Sequence, residues 1–196
     1  MDEEQIRAST AEELPRGLLA HIDRVVALGA ALAARHGLAV ATVRLAARGH
    51  DLLRAVPPTE LLARAERRGL PIDPVERREP VLLHGPLAAL ELAERFAVAD
   101  PDVLFAIRWH TTGHPDYSAE AWAMFVADKV EPDKVRRRPE LERVRTLAEA
   151  DLEAAALAYL DLSLQAAVAE GWQLHPMANN ARNALIARVG SRARVT

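Results

Sequence analysis

Six residues of this chain could hold a metal: His21, the adjacent pair His50-Asp51, His84, His110 and Asp128. They are expected on, or at the ends of, five different helices, with the pair His50-Asp51 sharing one. Imidazole nitrogens and carboxylate oxygens suit iron, manganese, magnesium or zinc in open catalytic sites. Such a set could carry one or two divalent ions over a phosphate ester. Cysteine is absent, which removes both disulfides and thiolate ligation from consideration.

These residues need a scaffold, and the composition favours an all-α one. Half of the 196 residues are hydrophobic but only 4% are aromatic, so Ala, Leu and Val must build most of the core. Ala/Leu/Glu/Arg stretches dominate and alternating β-branched runs are scarce. The length fits a single domain, residues 1–196, with a core over about residues 14–190 and about eight helices in a bundle.

The first helix is expected from about Leu14 to His36, closed by Gly37, with Leu14, Leu18, His21, Val25, Leu28 and Leu32 on one face. A second, about Ala39 to Arg54, puts Val43 and His50 inward and stops at Pro57-Pro58. Thr59 could cap a short third helix to Arg68, and Gly69 to Pro80 reads as an exposed loop. His84 to Phe96 is the fourth. Asp100-Pro101 opens the fifth, with Val103, Ala106, Ile107 and His110 inward. Ser118 caps a sixth, on which Trp122, Phe125 and Asp128 share a face before Pro132 ends it. Leu141 to Glu170 gives one or two helices, and Pro176 to Val189 the last.

Taken singly, a histidine on an apolar face is an ordinary hydrogen-bonded core residue, and His36 beside Gly37 suits a helix end. The set behaves differently. His21, His50, His110 and Asp128 all fall in the inward phase of separate helices, and burying a carboxylate among apolar groups costs several kcal/mol unless it is paired or metal-bound. A divalent cation offsets that cost by ligating neutral imidazoles and ionised carboxylates together. Neighbours on a helix point about 100° apart, so His50 and Asp51 reach one ion only if it lies beside the helix. The second oxygen of Asp51 could then bridge to another ion.

The formal charge of −3 gives no reason to expect nucleic acid as a partner. Met1-Asp2-Glu3-Glu4 lacks the layout of a signal peptide, and no apolar run is expected to reach the ~18 residues of a membrane span, so a cytoplasmic location is expected. The apolar Leu147–Ala169 region could serve a homodimer.

Four local segments carry a resemblance: Gly49-His50-Asp51-Leu52-Leu53-Arg54, Leu83-His84-Gly85, Ala106-Ile107-Arg108-Trp109-His110-Thr111-Thr112-Gly113, and Val126-Ala127-Asp128-Lys129-Val130-Glu131-Pro132. With His21 ahead of them, the chain resembles the HD-domain superfamily of metal-dependent phosphohydrolases. More narrowly it is similar to the YqeK-type branch, the symmetrical diadenosine tetraphosphatases. The resemblance spans about His21 to Asn183. It implies an all-α HD fold whose metal centre uses His21, His50, Asp51 and Asp128, with His84 and His110 serving a second metal or the adjacent phosphate. It also implies cleavage of diadenosine tetraphosphate into two ADP, with iron the favoured metal. Arg54 and Lys134 depart from the family pattern by exchanging one cation type for the other, which changes the geometry offered to phosphate.

On this reading Asp51 holds and bridges metals and, with Arg54, is catalytic. Arg54, Thr111, His114, Lys129 and Lys134 are the expected substrate contacts. The basic run Arg136-Arg137-Arg138 suits solvated surface or a tetra-anionic substrate, the group His175, Asn179, Asn180 and Asn183 could approach the nucleotide or cap a helix, and Trp109 and Trp122 are expected in the core. Glycine-rich phosphate loops, Gly-x-Ser-x-Gly and HExxH are absent. Two rival functions stand beside the main one: an HD-type reaction on another nucleotide (a nucleoside monophosphate or a guanosine alarmone), and a non-catalytic metal- or nucleotide-binding regulator.

Overall fold

The computed structural model describes residues 2–192. Twelve α-helices and two short 3-10 turns follow one another, with no strand among the described residues. They are α1 (Glu3–Thr10), α2 (Arg16–Arg35), α3 (Val40–Gly49), α4 (Pro58–Arg67), α5 (Pro74–Arg78), α6 (His84–Phe96), α7 (Pro101–Arg108), α8 (Ala119–Val130), α9 (Pro132–Arg137), α10 (Glu142–Ala148), α11 (Leu152–Glu170) and α12 (Pro176–Arg192). The 3-10 turns, Pro80–Leu83 and Pro139–Leu141, lead into α6 and α10.

Helix α8 is the axis of the fold. Every residue from Ala121 to Val130 is buried, and α2, α3, α7, α10 and α11 all lie against it. A helix enclosed on all sides must be apolar all round, so the few polar groups it carries need partners. Asp128 and Lys129 are those groups. One core runs from Ile6 to Leu185, and a smaller one, Leu61, Ala65, Leu83 and Leu87, joins α4 to α6.

The extra helices relative to the eight expected have a common cause. Pro74 and Pro132 look like loop and stop signals in the sequence, yet each opens a helix at a position where a missing N–H costs nothing. The acidic leader also folds: Asp2 accepts from the Gln5 N–H, Gln5 reciprocates, and Ile6 is fully buried. The last long segment divides at Asp151, whose side chain caps α11. Two helices end early. The second stops at Gly49, leaving His50 as its cap, and the fifth stops at Arg108, so His110 lies beyond it.

A further correction concerns membrane spans: α2 and α11 are each long and apolar enough to cross a bilayer. In this fold α2 is a core helix, burying Ile22, Val25, Val26, Leu32 and Ala33 against α3 and α8. Helix α11 lies on α8, α10 and α12.

Candidate metal centre

Three of the four histidines in the set are fixed by one local device. The Nδ1–H of His50 donates to the Ala47 carbonyl at 2.6 Å, that of His110 to Ile107 at 2.8 Å, and that of His84 to Val81. Each acceptor lies three residues upstream, at the end of a helix or in a 3-10 turn, where carbonyls lack ladder partners. A carbonyl can only accept, so the proton sits on Nδ1 and the Nε2 lone pair is left to bind a cation.

Two glycines bring these rings together. A Cβ on Gly49 would lie 2.7 Å from both Ile107 Cδ1 and Leu92 Cδ2, so a larger residue before His50 would force those side chains of α7 and α6 to shift. A Cβ on Gly85 would lie 2.9 Å from the Arg108 carbonyl oxygen and 3.0 Å from that of Ile107. That close approach sets His84 Nε2 2.9 Å from His110 Nε2.

Asp51 divides the donors into two groups. Its Oδ2 lies 3.6 Å from Nε2 of both His21 and His50. Its Oδ1 lies 3.0 Å from His84 Nε2 and 3.5 Å from His110 Nε2. Donor atoms in each triad, His21-His50-Asp51 and Asp51-His84-His110, are all within 4.8 Å of one another. Asp128 completes the first group, with Oδ1 3.2 Å from His21 Nε2 and 3.5 Å from His50 Nε2.

The donor set fits one or two divalent cations. His50 Nε2 is buried without a hydrogen-bond partner, and an orphaned buried lone pair is costly unless it coordinates. His84 and His110 aim lone pairs at each other, and burial drives the His110 imidazole down to about 3. The nearby Asp51 carboxylate only partly opposes that fall, so His110 is neutral at ordinary pH.

The carboxylates are ionised. Burial works against the charge of Asp51, but the neighbouring His50, His110 and His84 rings outweigh it and hold the carboxyl well below the usual range. Burial likewise opposes Asp128, and the Lys129 and Lys134 charges outweigh it. Lys129 Nζ lies 2.6 Å from Asp128 Oδ2 and donates to the His110 carbonyl at 3.0 Å, while Lys134 Nζ lies 2.6 Å from Oδ1.

Above the centre a cleft of roughly 410 Å³ has a basic rim of Arg24, Arg54, Lys134 and Arg137. Arg54 is exposed there. Lys129, expected to meet substrate, is instead buried beneath Asp128, with its ammonium over the Phe125 and Tyr159 rings. His114 is placed in the turn after α7: it accepts the Asp116 N–H at 3.1 Å and packs on Phe105 and Trp109, and burial lowers its pKa. Thr111 is half-buried directly after His110. His36 bonds the Ala148 carbonyl at 2.7 Å, and His175 accepts the Met177 N–H at the start of α12, so both serve the scaffold. Trp122 is in the core as expected and Trp109 is half-buried.

Glu131 and Arg24 have roles that the sequence pattern does not reveal. Glu131 Oε1 lies 3.4 Å from His21 Nδ1, and Arg24 Nε grips Oε2 at 2.6 Å.

The family model for the HD domain matches residues 18–156, a span that contains all six ligand candidates. This chain belongs to the HD domain family. Among its HD relatives, a symmetrical bis(5'-nucleosyl)-tetraphosphatase of Bacillus subtilis strain 168 is 32% identical over 155 residues, 79% of this chain and 82% of the relative. Another of that name, from Halalkalibacterium halodurans, is 44% identical over 79 residues, 40% of this chain and 41% of its own. A crystal structure of an HD superfamily hydrolase from Clostridium acetobutylicum, described as involved in NAD metabolism, superposes with a TM-score of 0.89 at 26% identity, covering 96% of this chain and 98% of the other. The HD fold accounts for the all-α architecture and for metal dependence.

Proposed function

We propose that this chain, as one HD domain, is a metal-dependent hydrolase that cleaves diadenosine tetraphosphate symmetrically into two ADP. The observation that carries the reading is Asp51, whose two oxygens face two separate donor groups beneath a basic cleft. The relatives named as symmetrical tetraphosphatases supply the substrate.

His21, His50, Asp51 and Asp128 would hold one ion, and Asp51, His84 and His110 a second. When bound, divalent ions supply Lewis acidity and activate water for attack on phosphorus. The chain's own groups do the rest. Asp51, Asp128, Glu131 and Asp133 carry negative charge and Arg24, Lys129, Lys134 and Arg137 positive charge, so these protein groups roughly cancel and bound ions would leave the site cationic. That excess, with Arg54 at the rim, matches a polyphosphate chain. Arg54 and Lys134 are our first choices for phosphate contacts, ahead of Thr111 and His114, which do not line the cleft; Lys129 would act through Asp128.

Iron is the metal we favour, with manganese, magnesium and zinc as alternatives. The cytoplasm is our proposed location. A second copy of this chain is our proposed cover for the ends of α11 and α12, where Val168, Trp172 and Ile186 are exposed. Incubation with diadenosine tetraphosphate and Fe²⁺ or Mn²⁺ should give ADP as the sole nucleotide product. AMP with ATP would mean asymmetric cleavage, and turnover of a nucleoside monophosphate or guanosine alarmone in its place would move the enzyme to another HD reaction. Absence of turnover on all of them would favour a binding regulator.

A further inference from the structure

The four imidazoles of the centre are not held alike. His50, His84 and His110 sit at helix ends or turns and use a backbone carbonyl three residues upstream that lies outside the regular helix ladder. His21 lies inside α2, where nearby carbonyls are committed to the helix ladder, so its outer nitrogen must find a partner elsewhere. That partner is the Glu131 carboxylate, 3.4 Å from His21 Nδ1. We infer that Glu131, locked by Arg24, is a positioning residue that orients His21 and ties the metal centre to the phosphate-facing helix α9. The inference rests on the metal reading above.

Three features support it. First, Glu131 is 2% exposed and held on both oxygens: Arg24 Nε at 2.6 Å and the Asp133 N–H at 2.9 Å on Oε2, with Arg24 Nη2 at 3.5 Å and His21 Nδ1 at 3.4 Å on Oε1. A buried carboxylate held this tightly has one orientation to offer. Second, His21 and Arg24 are three residues apart on α2 and therefore share a face. The same helix thus presents the ligand and the clamp that fixes its outer partner. Third, Glu131 caps α9, the helix that carries Lys134 and Arg137 to the cleft. A shift of this carboxylate would move a metal ligand and two rim cations together.

A carboxylate on the outer nitrogen also makes imidazole a stronger donor than a carbonyl does, and loss of such outer partners costs about 10–100-fold in metal affinity or activity. The chemistry is therefore asymmetric: His21, at the cleft side, receives the anionic partner, and the buried rings do not.

The test measures Mn²⁺ binding by calorimetric titration of the metal-stripped protein, with thermal unfolding and kcat and KM alongside. Glu131→Gln should weaken Mn²⁺ binding by about 10–100-fold and lower kcat more than it raises KM. Arg24→Met should act in the same direction. The double variant Glu131→Gln/Arg24→Met, which leaves no unpaired buried charge, should be no worse than Glu131→Gln alone, as expected of a unit. It also keeps the test sound if either single variant folds poorly. Glu131→Asp should restore part of the affinity. His21→Ala separates this proposal from the reading beneath it. If His21→Ala loses Mn²⁺ affinity while Glu131→Gln and the double variant bind it like the wild type, the positioning role is overturned and the metal centre stands. If His21→Ala binds Mn²⁺ unchanged, the metal reading fails and takes this inference with it.

Discussion

His110 shows how far a single residue's chemistry is set by its surroundings. Burial is the main reason that its pKa falls to about 3, against an unfolded value of about 6.5. Between those values the unfolded chain takes up a proton that the folded chain refuses. The contribution of His110 to stability is therefore intact above about pH 6.5 and lost as pH falls toward 3. For metal-stripped protein, moving from pH 7.5 to 5 should cost the wild type about 2 kcal/mol more than His110→Gln. Urea unfolding at the two pH values measures this, and equal losses in both proteins would mean that His110 is protonated in the fold. The ligand set was readable at this scale because His and Asp are conspicuous on apolar faces. Glu131 and Arg24 were not, because a Glu followed by Pro looks like a helix cap, which it also is. Lys129 was misread for a related reason: its partner, Asp128, is adjacent in sequence, and sequence does not say which of the two faces the cleft.

At the scale of elements, the sequence revealed the long helices and concealed the short ones. Helices α2 and α6 carry periodic apolar faces and α8 is apolar nearly all round, and α6 and α8 begin and end where expected. The short α5 and α9 lack a periodic face and announce themselves only through a proline and its cap. Positions of His50 and His110 just beyond their helices were also hidden, since the apolar pattern continues past the last ladder bond. The glycines beside the ligands matter for the same geometry. A methyl group at Gly85 meets the Arg108 and Ile107 carbonyls, which are backbone and cannot swing aside, so α6 must move off α7. Gly85→Ala should destabilise the protein by about 1–3 kcal/mol. It should also separate His84 from His110, reducing bound metal while the His21-His50-Asp51 group keeps its ion. At Gly17, where a Cβ would meet nothing within 4 Å, the same substitution should be neutral or stabilise by up to about 1 kcal/mol. Elemental analysis paired with chemical denaturation of both variants tests the contrast. A Gly85→Ala protein with full metal content would show that α6 and α7 tolerate the methyl without parting.

Across the whole molecule, the ligand candidates span from His21 to Asp128 and come from five helices or their ends: α2, α3, α6, α7 and α8. An ion bound there cross-links segments that are far apart in the unfolded chain, where no such cluster exists. Metal therefore binds the folded state alone, and its binding free energy adds to folding. With free metal at 100 times Kd the gain is about 2.7 kcal/mol, which for a chain of this size raises Tm by roughly 5–10 °C. The protein has another set of long-range ties, Glu3 to Arg48 and Arg44, and Arg48 to Asp23, which fasten α1 to α2 and α3 without any metal. Chelation should accordingly lower Tm without unfolding the chain, and helix content should stay near that of the loaded protein. Thermal scans with chelator, and again after Mn²⁺ or Fe²⁺ is restored, follow the change, with Asp51→Asn as the reference. That variant loses the charge that both donor groups share, so its Tm should respond little to either treatment. A wild-type Tm that ignores chelation as Asp51→Asn does would leave the six groups as a hydrogen-bonded core and remove the metal from the protein's stability altogether.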